Sequence, residues 1–231
     1  MAKKPPFLEN QIYHLYNRGA DKRVIFETSG DYVQFIHYLF CLNDKDCYEN
    51  LIRSQKNAMV SEVEPQSFKK RDMLVEILSF CLMPNHFHLL IKQKKEGGIV
   101  KFMQKLGTGY TMYFNIKNQR TGCLFQGRFK AKIIDNNAYY MHIPHYIHFN
   151  PIDLINDRGS TSISEKMTFL ENYRWSSFPD YVGKKNFPSV TNREFLLGHF
   201  GGEENYKKQV VEWLKNENNN YDLVSDATFD E

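Results

Sequence analysis

The sequence predicts an α+β fold, an antiparallel sheet carrying helices on one face, for this chain of 231 residues. Three observations lead there. Segments with strand and helix periodicity alternate in the order strand, helix, strand, strand, helix, strand, helix. The two central strands are separated only by Pro84-Asn85, a turn that forces them antiparallel. A composition of 42% hydrophobic and 25% charged residues is that of an ordinary soluble globular chain.

Taken in order, "QIYHLYNR" (11–18) carries β-favouring residues and ends at Gly19, a strand and its turn. A helix opens near Ser29 and Asp31, with Tyr32, Phe35, Ile36 and Leu39 at helical spacing. Residues 43–71 are polar and aperiodic and read as a loop or mobile insertion with a short helical piece. "MLVEILSFCLMP" (73–84) and "HFHLLIKQ" (86–93) form the hairpin. From 99 to 119, Phe102, Leu106, Tyr110 and Tyr113 or Phe114 mark an amphipathic helix, interrupted or kinked at Gly107-Gly109. "CLFQGRFKAKII" (123–134) reads as a fourth strand. Asp135 or Asn136 caps a helix over 137–149 that Pro151 ends.

This βαββαβ order is the split, ferredoxin-like unit. Two regions are expected: a core domain over 1–151, and a mainly helical extension over 152–231. The extension holds a clear helix at 203–215 and an acidic, disordered tail from about 217.

Composition narrows the partners. From Lys92 to Asp135, ten basic residues stand against two acids, a surplus of eight in a chain of net charge +3, so the remainder sums to −5. A phosphate-binding surface requires such asymmetry, although a Lys-rich solvated helix face produces it too. No apolar run reaches signal-peptide or membrane-span length, so the chain is read as cytoplasmic with no membrane partner. Cys41, Cys47, Cys81 and Cys123 lack metal-finger spacing and read as reduced thiols.

The chemistry gathers at "MPNHFHLLI" (83–91). On a strand, His86 and His88 share one face while Phe87 and Leu89 share the other, so two imidazoles look at one point, as metal ligands or as a structural pair. In "AYYMHIPHYIHFNP", His142, Tyr146 and Asn150 follow at spacings of four and lie along one helix face. Tyr146 is then either a nucleophile or a packing residue beside Tyr139 and Tyr140. His142, His145 and His148 read as surface or phosphate-contacting groups. Alternation sets Gln126, Arg128, Lys130 and Lys132 on one strand face. With Lys101 and Lys105, and with Asn17 and Arg18 before the first turn, they form either a DNA-lining set or an exposed basic surface.

"MPNHFHLLI", "YTMYFNIKNQRTGCLFQGRFKAKIID", "YIHFNP" and "YRWSSFPDYVG" resemble the corresponding blocks of the single-tyrosine HUH (IS200-like) transposases, in particular the REP-associated tyrosine transposases. "YHLYNRGADKRVIF" resembles that family's first strand and turn, so the likeness spans most of 11–183. It implies a ferredoxin-like nuclease that cuts single-stranded or hairpin DNA and stays attached to it. By motif, His86 and His88 would be metal ligands for Mg²⁺ or Mn²⁺, and Tyr146 the nucleophile of a 5′-phosphotyrosine intermediate. Asn150 would be a polar helper and candidate third ligand. A related branch has Gln at the position of Asn150, one methylene longer.

Pro144 is a departure: inside a helix it removes a hydrogen bond at a cost of about 3 kcal/mol. It either aims Tyr146 or impairs this copy. "YRWSSFPDYVG" is expected to pack Trp175 on the nuclease domain. The alternative functions are a non-catalytic nucleic-acid-binding protein of the same fold and a phosphoesterase using water in place of Tyr146. Relatives act as monomers or homodimers, and the sequence leaves both open.

Overall fold

The computed structural model describes residues 7–45, 71–155 and 161–216. The expected insertion, but for its ends at 43–45 and Arg71, lies outside the described residues, as do Cys47 and the tail from 217. Strands β1 (Ile12–Arg18), β2 (Val75–Met83), β3 (His86–Gln93) and β4 (Lys130–Ile133) form one antiparallel sheet in the order β2-β3-β1-β4. This is the ferredoxin-like arrangement, with the Pro84-Asn85 turn closing the β2–β3 hairpin.

The sheet separates two cores. Leu15, Phe87, Leu89 and Ile91 face the first, which helices α1 (Ser29–Cys41) and α2 (Gly98–Lys117) cover. The opposite sides of the same strands carry Leu90, His14, Tyr16, His86 and His88, because alternate residues face alternate ways. A shift of register between Ile77 and Ser79 bulges β2 and reverses its parity. Val75 and Ile77 before it, and Phe80 and Leu82 after it, therefore all reach the first core.

Helix α1 begins where Thr28 and Asp31 form a capping box. Asp31 is fully buried yet accepts from Lys117 Nζ at 2.7 Å, the Tyr113 hydroxyl at 3.0 Å and the Thr28 amide at 2.8 Å. Burial pushes its carboxyl pKa up, but these bonds outweigh burial and hold it below the usual carboxylate value. A depressed carboxylate contributes stability above its unfolded pKa of about 4 and loses it as pH falls through the lower folded value. Asp31→Asn is expected to cost about 2 kcal/mol at pH 7, read as a lower urea midpoint, and this difference should shrink in acid.

Helix α2 runs uninterrupted for 20 residues, so the expected break at Gly107-Gly109 does not occur. Gly109 instead marks where α1 comes close: a Cβ there would sit 3.4 Å from Leu42 Cδ1 and 3.7 Å from Tyr38 Cε2. Strand β4 is only four residues long.

The second face is covered by α3 (Asn137–Phe149) and by the helices after Pro151: α4 (Ile163–Asn172), α5 (Phe178–Tyr181), α6 (Arg193–Phe200) and α7 (Glu203–Lys215). Asn136 caps α3 by accepting from the Tyr139 amide at 2.7 Å. The helix ends at Phe149 as expected from Pro151, and the chain goes on as a 3-10 turn, Asn150–Leu154.

Sandwiched between the sheet and α6 and α7, α3 cannot keep its histidines at the surface. His145 is 3% and His148 0% exposed, which corrects their reading as surface or phosphate-contacting groups. His148 bonds the Tyr206 hydroxyl at 2.6 Å and Ser177 Oγ at 2.8 Å, and Ser177 Oγ accepts from the Phe80 amide at 2.9 Å. That chain of bonds ties α7 and the segment before α5 to β2 through one neutral imidazole, whose pKa burial holds well below its usual value.

Trp175 stacks on Tyr32 at 4.6 Å, and its carbonyl accepts from the Leu82 amide at 2.9 Å. Of the described cysteines, Cys81 is buried in the second core and Cys41 Sγ lies 3.4 Å from His37 Nε2. No described helix is long and apolar enough to cross a membrane.

Candidate active site

Four of the residues singled out in the sequence meet on the second face. His86 and His88 project from β3 with ring centroids 5.0 Å apart and planes at 89°. Tyr146, from the third turn of α3, sets its ring edge-on against His88 at 5.5 Å. Asn150, one turn further on, brings Oδ1 to 3.4 Å from His86 Nε2. The spacing of four that puts Tyr146 and Asn150 on one helix face thus aims both at the paired imidazoles.

The hydrogen bonds decide which atoms face each other. Asn85 donates Nδ2 to the Lys22 carbonyl at 3.2 Å, so its Oδ1, 2.7 Å from His86 Nδ1, must accept. His86 then carries its proton on Nδ1 and a lone pair on Nε2. Asn150 is likewise oriented, donating Nδ2 to the Tyr146 carbonyl at 2.8 Å and leaving Oδ1 toward His86. Burial pushes the His86 pKa down to about 4; the Asn150 contact opposes this and the Arg18 charge adds to it. The ring is therefore neutral, and two lone pairs point at one another across 3.4 Å.

A divalent cation suits that gap. Two donors about 2.1 Å from an octahedral ion and at right angles around it lie about 3 Å apart. Among the described residues no group of three His, Cys, Asp or Glu side chains is arranged to hold a metal ion, and the oxygen that faces His86 belongs to the amide of Asn150. Two imidazoles and an amide would leave open positions for phosphate oxygens, and imidazole donors favour Mn²⁺ over Mg²⁺.

One feature went unread in the sequence. His14, on β1, is fully buried and places Nε2 2.9 Å from His88 Nδ1, with the rings nearly parallel at 16°. Alternation groups His14 with Tyr16 and Arg18, but only the β1–β3 register shows that theirs is the face of the His pair. Burial holds the His88 pKa well below its usual value, with the neighbouring His86 and His14 adding. Burial and the Lys132 charge push His14 down to about 3.

Tyr146 is 5% exposed and packs with Ile143, Ile147 and Cys81, as in the packing alternative that the sequence left open. That burial raises its phenol pKa, against a smaller opposing effect of the Asn150 side chain.

The basic residues divide. Lys130 and Lys132 pair with Tyr16 and His14 across β1–β4 and so lie on the site's face, with Lys132 Nζ 4.5 Å above the Tyr139 ring. Arg18 pairs with His86 and shares that face.

Lys101 and Lys105 belong to α2, beneath the sheet, where Lys105 donates to the Asp44 carbonyl at 2.8 Å. The sheet stands between them and the strand lysines, so one groove does not hold both. Gln126 and Arg128 fall before β4, where Phe125 makes only an isolated bridge to Gly19 and the Gln126 amide bonds the Arg18 carbonyl at 2.8 Å. The alternation expected to align them with Lys130 therefore does not extend that far. Asn17 faces the other way from Arg18, donates to the Gly127 carbonyl at 3.1 Å, and with Arg128 lines a groove of about 1090 Å³ between α2 and β4. His142 points away from the site, lining a cavity of about 230 Å³ with His145, Glu212 and Trp213.

A family model described as "Transposase IS200 like" matches residues 36–150. No curated protein matches the chain. Among solved structures, one titled "Structure of the REP associates tyrosine transposase bound to a REP hairpin" is similar at 15% identity, covering 82% of this chain and 90% of that chain with a TM-score of 0.45.

Proposed function

From the premise that this chain belongs to the IS200-like transposase family, we propose that it is a metal-dependent endonuclease and strand transferase for single-stranded, hairpin-forming DNA, with Tyr146 as covalent nucleophile. The observation that carries this reading is the approach of His86 Nε2 and Asn150 Oδ1 to 3.4 Å beside Tyr146. His86, His88 and Asn150 would hold Mg²⁺ or Mn²⁺. A divalent ion there would polarise a phosphoryl oxygen and offset charge on the departing oxygen.

The chain's own residues do the rest. Tyr146 Oη bonds to phosphorus as the bond to the 3′ oxygen breaks, leaving a 5′-phosphotyrosine and a free 3′ hydroxyl. The phenol gives up one proton and the 3′ oxygen gains one. Because the ester keeps the energy of the broken bond, a second strand can displace the tyrosine without ATP.

The phenol is covered in this arrangement, so DNA must reach it as α3 yields. Pro144 supports that step: it lacks the amide proton that would bond the Tyr140 carbonyl, which weakens the helix one half-turn before Tyr146. The same burial also favours a second reading, a non-catalytic DNA-binding protein of this fold. Incubation with Mn²⁺ and a hairpin oligonucleotide separates the two. The first reading expects a protein–DNA adduct that survives denaturation and is absent with EDTA, and the second expects none under any metal.

DNA entering the site would run along Arg18, Lys130 and Lys132. Lys130→Ala and Lys132→Ala should each weaken binding of single-stranded DNA of any sequence and lower the slope of log affinity against log salt by about 0.7. Lys101→Ala, on the far layer, should leave the slope unchanged. Fluorescence anisotropy across a salt series measures all three.

A further inference from the structure

We propose that His14 is a positioning residue for His88: by accepting the Nδ1 proton of His88 at its own Nε2, it holds the tautomer whose Nε2 lone pair can bind a cation. The inference rests on the reading of His86, His88 and Asn150 as metal donors.

Two imidazoles that share one hydrogen bond have two arrangements. The 2.9 Å contact between His14 Nε2 and His88 Nδ1 needs one donor and one acceptor. If His14 donates, His88 keeps its proton on Nε2, and that nitrogen cannot be a ligand. If His88 donates from Nδ1, its Nε2 is bare and His14 carries its own proton on Nδ1. His14 Nδ1 is buried and has no hydrogen-bond partner among the described residues, so none of their side chains biases the choice from that end. A cation on His88 Nε2 selects the second arrangement, and His14 supplies the acceptor this arrangement needs. His86 reaches the same tautomer through Asn85, so both ligands would be set by a back-side acceptor, as metal-bound histidines usually are.

The surroundings keep the His14 ring in place. It stacks on Tyr16 at 5.1 Å and 29°, lies nearly parallel to His88, and meets Tyr146 edge-on at 6.0 Å. These rings pack against His14, so the arrangements differ by protons alone: passing from the first to the second moves the shared proton to His88 Nδ1, releases the proton on His88 Nε2 and adds one at His14 Nδ1.

The full-length protein tests this with Mn²⁺ affinity and with nitrogen-15 NMR of the imidazoles, using Zn²⁺ as a diamagnetic probe. In the Zn²⁺-loaded wild type, His88 should carry its proton on Nδ1. His14→Phe keeps an aromatic ring but no acceptor, and Mn²⁺ affinity should fall about 10- to 100-fold. His14→Gln, whose amide oxygen can accept, should recover most of it, which a purely packing role for the ring does not predict.

A His88 proton on Nε2 in the loaded wild type would overturn the assignment without any variant. So would His14→Phe binding Mn²⁺ as tightly as the wild type, in a protein whose His86→Ala form does not bind. A wild type that binds neither ion overturns the metal reading itself.

Discussion

Tyr146→Phe is expected to abolish the covalent adduct and to lower strand cleavage by at least about 10³-fold, since removal of a nucleophile costs between about 10³ and 10⁶ in comparable enzymes. The variant isolates the hydroxyl. Its ring would keep the edge-on contacts to His88 and His14 and the packing against Ile143 and Ile147. Fold, Mn²⁺ affinity and DNA affinity should therefore stay near wild type. Cleavage surviving in this variant would mean that water attacks the phosphorus, and the adduct assay on a denaturing gel distinguishes the two within one experiment.

The second large effect is expected at His86. His86→Ala removes the nitrogen that faces Asn150 Oδ1 across 3.4 Å, and Mn²⁺ affinity should fall by more than about 100-fold, because losing even an outer-shell partner of a ligand costs 10- to 100-fold. Cleavage at limiting Mn²⁺ should fall in parallel and recover in part at high Mn²⁺. DNA affinity should change little, since on the proposed reading it rests on phosphate contacts from Arg18, Lys130 and Lys132. His86 suits this experiment better than His88: it is only partly buried, whereas His88 is fully enclosed and its removal would open a cavity as well. Calorimetric titration with Mn²⁺ gives the affinity, and unchanged affinity in His86→Ala would place the ion elsewhere.

Both predictions depend on a helix that the protein holds closed. Tyr146 sits in the second core with a raised pKa, the opposite of an activated phenol. On the proposed reading activation is coupled to opening, which the network of His148, Tyr206 and Ser177 would resist from the far side of α3. Pro144 lies along the helix on the other side of Tyr146 from that network, where it removes a helical hydrogen bond.

Much of this was readable from spacing alone. Alternation put His86 and His88 on one face, a spacing of four put Tyr146 with Asn150, and Ser29 with Asp31 announced the start of α1. The hairpin turn and the order of elements were enough for the ferredoxin-like unit. These features are set by residues within a few positions of one another, so short-range geometry governs them.

What spacing left open was every question of which surface a face meets. The bulge at Ile77/Ser79 reverses the parity of β2, the sheet puts Lys101 and Lys105 on the layer away from Lys130 and Lys132, and α6 and α7 enclose His145 and His148. His14 joins the site only through a partner 74 residues away. Local periodicity therefore established the elements and the membership of each face. Strand register and the second layer of helices assigned those faces to core, site or solvent, because burial is a contact between segments distant in the chain and no single segment encodes it.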